Sequence, residues 1–234
     1  MRNLKLLFAV SLLVLLSGEC ADAQDWANLE RFRKQNDSLG LPKAGEKRVV
    51  FMGNSITEGW TKFCPSFFEG RPYINRGISG QTTPQMLLRF RADVIHLKPI
   101  AVVILAGIND IAGNTGPSTL EMIEDNIISM AQLAKANGIK VILCSVLPAY
   151  DFPWRPGLNP AEKVVALNKL IKNYADKNSI LYVDYFSAMV DERNGLKAEL
   201  GYDGVHPNEK GYKVMMPLVE EAIKKAMTQS ASSK

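Results

Sequence analysis

Arg48-Val49-Val50-Phe51-Met52-Gly53-Asn54-Ser55-Ile56-Thr57-Glu58-Gly59 is the stretch that decides the fold. An apolar, β-branched run of strand length stops at a glycine, and polar residues suited to the first turn of a helix come at once. Four more runs of the same kind occur at 73–76, 100–105, 140–146 and 180–184. Between and after them lie segments with helical spacing. Leu87, Leu88, Val94 and Ile95 mark one; Met122, Ile123, Ile127, Met130 and Leu133 mark the next; Val164, Leu167, Leu170, Ile171 and Tyr174 form another; Val214, Met215, Leu218, Val219, Ile223 and Met227 close the chain. Strand followed by helix, repeated, implies a parallel sheet covered on both faces. Right-handed crossovers then favour an α/β fold: a three-layer α/β/α sandwich on a five-stranded parallel sheet, in the flavodoxin-like order 2-1-3-4-5.

Composition sets the outer bounds. The 234 residues are 47% hydrophobic and 22% charged, the balance of a globular chain and neither a disordered nor a collagen-like one. Lys and Arg exceed Asp and Glu by 28 to 24, but the charges are dispersed, so nucleic acid is not an expected partner. Only two histidines are present, His96 and His206, which leaves little choice for any chemistry that needs imidazole.

The first 23 residues read as a signal peptide. Arg2 and Lys5 are basic, 6–16 is apolar, and Ala21-Asp22-Ala23 is a small-x-small triplet, so cleavage is expected after Ala23. This run of 11 residues is too short to cross roughly 30 Å of hydrocarbon, and no integral membrane span is expected. The expected location is periplasmic or secreted, with 24–234 as one domain. Leu16-Ser17-Gly18-Glu19-Cys20 has the form of a lipid-attachment signal, but Glu19 stands where that pattern wants a small residue. Residues 24–39 suggest a leading helix and 229–234 a frayed polar tail. Cys64 and Cys144, one in a connection and one in a core run, read as unpaired thiols without metal-ligand spacing; no metal or cofactor is implied.

In an open parallel sheet the ligand site lies beyond the carboxyl ends of the strands, which directs attention to the residues just after each run. Ser55, after the first, is either a helix N-cap or a hydroxyl whose own amide faces developing negative charge. It is not in the Gly-x-Ser-x-Gly elbow, because Thr57 occupies the second glycine position. After the second run, Gly77-Ile78-Ser79-Gly80 precedes Thr82-Thr83-Pro84; Gly80 suits a plain turn or a backbone donor close to a ligand. After the third, Asn109 either caps a turn or presents its side-chain amide to an oxyanion. Near the end stands Asp203-Gly204-Val205-His206-Pro207, a spacing that lets the carboxylate accept the Nδ1 proton and leaves Nε2 as base, though it also occurs as a surface turn or a metal pair. His96, in Val94-Ile95-His96-Leu97, reads as structural.

Together these four stations resemble the four blocks of the SGNH hydrolases, or GDSL esterase/lipase family. Gly53-Asn54-Ser55-Ile56-Thr57 is similar to the nucleophile block, Gly80 to the glycine block, Gly107-Ile108-Asn109-Asp110 to the asparagine block, and Asp203 to Pro207 to the closing block. They occur in the family's order. Asn54 departs from it, standing where the name-giving motif has aspartate. The Gly-Asn-Ser-Ile-Thr-Glu-Gly form is most similar to the platelet-activating-factor acetylhydrolase-like and carbohydrate acetylesterase branch. The resemblance implies a serine esterase with Ser55, Asp203 and His206 as triad and Ser55, Gly80 and Asn109 as oxyanion hole.

Export points to an acetyl ester on an extracytoplasmic glycan, or another small-molecule ester, as the substrate. Trp60, Tyr150, Trp154 and Tyr202 could form an aromatic wall for it. A short-chain lysophospholipase or acyl-thioesterase is the alternative; from a different class, a non-catalytic flavodoxin-like or carbohydrate-binding module would use the Ser55 loop without chemistry.

Overall fold

The structure, a computed structural model, describes residues 25–228. Its sheet contains β1 (Val49–Gly53), β2 (Tyr73–Gly77), β3 (Ala101–Leu105), β4 (Lys140–Cys144) and β5 (Leu181–Val183). All neighbouring strands are parallel and the order is β2-β1-β3-β4-β5, as the alternating pattern predicts. β1 and β3 are buried along their whole length, which is why both read as unbroken apolar runs.

Eight helices complete the described residues: α1 (Arg33–Leu39), α2 (Ser55–Phe63), α3 (Thr83–Asp93), α4 (Ile108–Ile111), α5 (Leu120–Ala136), α6 (Ala161–Lys177), α7 (Tyr185–Met189) and α8 (Glu209–Thr228). α3, α5 and α6 pack side by side as one layer, and α8 packs against α2 and α7 in the other. The periodic stripes supply the buried faces. Ile123, Ile127 and Met130 are buried on α5, as are Val164, Leu167 and Ile171 on α6 and Met215, Val219 and Ile223 on α8. Met122 and Leu88 fall off their stripes and are exposed.

One element differs from its sequence pattern. The segment 24–39 is not a continuous helix: Asp25 accepts the amides of Leu29 and Glu30 and holds the chain in turns, Asn28 has a positive φ, and helix begins only at Arg33. This arm docks through backbone carbonyls, with Trp26 O accepting from Gln85 and Ala27 O from Gln81. The expected signal peptide and polar tail lie outside the described residues. Within them, no helix is long and apolar enough to cross a membrane.

Register fixes the level at which the functional loops begin. Gly53 is paired with Gly77 on one side and Leu105 on the other, so β1, β2 and β3 end side by side. Gly77 is required by close approach: a Cβ there would lie 2.1 Å from the amide nitrogen of Glu58, so only glycine lets the end of β2 rest on the first turn of α2. Beneath these ends, Arg89 of α3 is fully buried and donates to Gly53 O, Arg76 O, Gln81 Oε1 and the Asp93 carboxylate. One guanidinium thereby satisfies the carbonyls of two strand termini.

Candidate active site

Ser55 is the first residue of α2, and its neighbour does the capping. The Asn54 side chain accepts the Ile56 amide at 3.0 Å, so the cap is satisfied without the serine hydroxyl. Ser55 Oγ instead lies 2.9 Å from His206 Nε2. His206 Nδ1 in turn lies 2.7 Å from Asp203 Oδ2.

The loop bearing the acid and the imidazole is folded by its own carboxylate. Asp203 Oδ1 accepts the amides of Val205 at 3.0 Å and His206 at 2.7 Å, an arrangement that a positive φ at Gly204 makes accessible. Pro207 precedes the last helix rather than opening it; Asn208 caps α8 by accepting the Gly211 amide. Partial burial acts to raise the Asp203 carboxyl, but the His206 amide and ring and the Val205 amide outweigh it and hold the group below its ordinary value. An ionised carboxylate only accepts, so Nδ1 carries the proton and Nε2 faces the Ser55 hydroxyl as acceptor. A hydroxyl, an imidazole and a carboxylate so linked can transfer a proton out of an alcohol as it attacks.

The other strand ends supply donors. Among the described residues the backbone amides of Ser55 and Gly80 have no hydrogen-bond partner. Asn109, at the start of α4, donates one Nδ2 hydrogen to Gln81 O at 2.9 Å and keeps the second. Gly80 O accepts from Asn114 Nδ2, so two successive carbonyls of this turn, Gly80 O and Gln81 O, are each held by an asparagine side chain. Asp110 accepts the amide and hydroxyl of Thr83 at the start of α3, and burial pushes its carboxyl up to about 6 despite these bonds.

The four aromatic residues expected to line the site divide. Tyr202 stacks on the His206 ring at 5.6 Å and Trp154 stands 5.7 Å from it on a tilted plane; both are exposed. Tyr150 is exposed as well, but its ring partner is the Arg193 guanidinium, 4.8 Å away. Trp60 is a correction. It is 2% exposed, stacks on Phe67 at 4.8 Å and touches Phe51 and Tyr212, so it belongs to the core beneath α2. Its spacing of four from Ile56, also buried, places the two on one helix face and is the signal that could have shown this. His96 is the one exposed residue of the turn Ile95–Leu97, after α3 and apart from the triad. Cys64 and Cys144 are buried and unpaired, with burial raising both thiols. Among the described residues no group of His, Cys, Asp and Glu could hold a metal ion. An open groove of about 580 Å³ between α1 and edge strand β2, lined in part by Lys34, Tyr73 and Arg76, contains none of the triad.

A parallel sheet of this order with a hydroxyl–imidazole–carboxylate chain at its carboxyl edge defines a serine-hydrolase architecture on an open α/β sandwich. The model of the GDSL-like lipase/acylhydrolase family matches residues 51–214, and the chain belongs to that family; it is a carboxylic ester hydrolase. The flavodoxin-like binding module is set aside on that ground, and the joined Ser55, His206 and Asp203 side chains speak against a non-catalytic carbohydrate binder. An acetylxylan esterase of Xylanibacter ruminicola is 28% identical over 80% of this chain, which spans only 45% of that protein's length. Esterase TesA of Pseudomonas aeruginosa is 30% identical, the match covering 70% of this chain and 77% of that one. Among solved structures, a GDSL-like lipase from Bacteroides thetaiotaomicron is 52% identical with a TM-score of 0.83, covering 86% of this chain and 98% of its own.

Proposed function

We propose that this chain is an exported serine esterase that removes acetyl groups from O-acetylated glycans, with Ser55 as nucleophile, His206 as base and Asp203 orienting it. The unbroken Ser55–His206–Asp203 chain, flanked by two exposed aromatic rings, is the observation that carries the reading. Ser55 Oγ attacks the ester carbonyl as its proton passes to His206 Nε2. The carbonyl oxygen becomes an oxyanion, met by the Ser55 and Gly80 amides and the second Asn109 hydrogen. His206 returns the proton to the departing sugar oxygen, leaving an acetyl ester on Ser55. Water then attacks that ester, again losing its proton to Nε2, and acetate leaves as Ser55 recovers its proton.

Trp154 and Tyr202 support a glycan because flat exposed aromatic faces match the apolar faces of sugar rings while the hydroxyl groups remain in water. The acetylxylan esterase relative supports the same class. Ser55→Ala and His206→Ala should each abolish hydrolysis of a small acetyl ester, and His96→Ala should leave it unchanged; wild-type turnover by either of the first two would sink the assignment. Acetate release from acetylated xylan, acetylated pectin and acetylated sialic acid, measured beside release from short-acyl phospholipids, decides the substrate: preference for the lipids would replace the glycan reading with the lysophospholipase one.

A further inference from the structure

We infer that Glu58 is a positioning residue for the reaction: its carboxylate ties the helix that carries Ser55 to the turn that carries Gly80, and so sets the separation of the two backbone donors. This rests on the proposal that the Ser55 and Gly80 amides receive the oxyanion. Glu58 lies three residues after Ser55 in the first turn of α2, where the helix dipole favours negative charge. Its Oε2 accepts the Ser79 amide at 2.9 Å and also the Ser79 hydroxyl, while Oε1 accepts from Arg31 at 3.1 Å.

An exposed Glu–Arg pair alone would be a weak surface contact. Two features make this one different. Its partner is the residue immediately before Gly80: the carboxylate holds the N–H of the Ile78–Ser79 peptide and the Ser79 hydroxyl, and the Gly80 N–H belongs to the next peptide, so fixing Ser79 limits where that donor can point. The opposite side of the turn is held separately, by Asn114 on Gly80 O and Asn109 on Gln81 O. Without Glu58, Ser79 itself keeps no hydrogen bond among the described residues, and its side of the turn is held only through its neighbours, by the Ile78 amide on Gly53 O at 3.2 Å and the Gln81 amide on Ile78 O at 3.3 Å. Arg31 offsets the negative charge that would otherwise oppose an oxyanion nearby, and it comes from the N-terminal arm that also holds Gln81 and Gln85.

A donor displaced by a fraction of an ångström to an ångström should affect the oxyanion more than the neutral ester. Glu58→Ala is expected to lower kcat on 4-nitrophenyl acetate by about 10- to 100-fold, with KM changed by less than about twofold. The pH dependence of kcat should keep its wild-type inflections, since the base is untouched, and phosphonylation of Ser55 by a phosphonyl fluoride should slow in step with kcat. Glu58→Gln retains a carbonyl oxygen for Ser79 and should recover to within about threefold of wild type. If Glu58→Ala does not fold, Glu58→Asp, whose carboxylate falls short of Ser79, takes its place in the same comparison. A kcat near wild type, a loss confined to KM, or equal loss in Glu58→Gln would overturn the inference. Ser55→Ala, run alongside, separates the two claims: activity surviving there defeats the nucleophile assignment itself, whereas an inactive Ser55→Ala beside a fully active Glu58→Ala defeats only the positioning role.

Discussion

At the scale of single residues, the structure leaves Ser55 without other duties in the proposed mechanism. Asn54 caps α2, so the hydroxyl next to it is free to meet His206. This accounts for the tolerance of asparagine where the family motif has aspartate, because an amide oxygen accepts the Ile56 amide as a carboxylate would. Asp203 has the complementary task of fixing the imidazole tautomer, and its lowered carboxyl keeps it ionised through the neutral range. Asp203→Asn should retain the fold yet lower kcat by about 10⁴, since the amide can donate to Nδ1 and leave the proton on Nε2. Asn109→Ala should lower it by about 10² to 10³. Steady-state kinetics of the folded variants checks both; a loss under tenfold in Asp203→Asn would remove the acid from the mechanism.

At the scale of elements, the catalytic edge is held by side chains reaching between helices and strand ends. Asn168 of α6 brackets the Val146 backbone just past β4, at 2.7 Å through its oxygen and 2.9 Å through its nitrogen, fixing the start of the loop that carries Trp154. Asp110 does the same for the start of α3, and its titration has a measurable sign. In the unfolded chain its carboxyl has the ordinary value of 3.8; folded, it is pushed up to about 6. Between those values the folded chain binds a proton that the unfolded chain has released, so stability falls as pH rises through the window. The effect is at most about 3 kcal/mol. Asp110→Asn keeps an acceptor for Thr83 and should flatten this part of the profile, lessening the fall in urea midpoint from pH 4 to pH 7; identical profiles would show that the carboxyl is not raised.

For the whole molecule, the sandwich converts three strand ends at one level into one reaction edge, and loops from distant parts of the chain complete it. His206 is 151 residues from Ser55, and the aromatic rings beside it come from the β4 loop and the loop before α8. Substrate size should therefore be sensed at the rim. Replacing Trp154 and Tyr202 together by Ala should raise KM for an acetylated oligosaccharide at least about tenfold and barely alter KM for 4-nitrophenyl acetate, two lost aromatic contacts being enough for that difference. Equal changes for both esters would deny the rings a role in glycan binding.

The succession of strands and helices and the buried faces of the long helices were legible because periodicity is local: apolar runs and 3.6-residue stripes are written along the chain itself, and the strand order followed from the crossover rule for such a succession. The four motif stations were legible for a related reason, since each lies within a few residues of a strand end or a helix start. Trp60 and Tyr150 were not. Whether an aromatic ring faces a cleft, the core or an arginine depends on which partner the fold brings to it, and Phe67, Tyr212 and Arg193 arrive from other elements. Asn114 carried no signal, and Glu58 none beyond its place in the Gly-Asn-Ser-Ile-Thr-Glu-Gly form, because both hold backbone groups of a turn whose position only packing decides. The sequence by itself determined the α/β order and the residue types available for chemistry. Beyond the local Asp203–His206 pair, only tertiary structure decided which of them meet, because hydrogen bonds and ring contacts form over a few ångströms between groups that the chain separates by tens of residues.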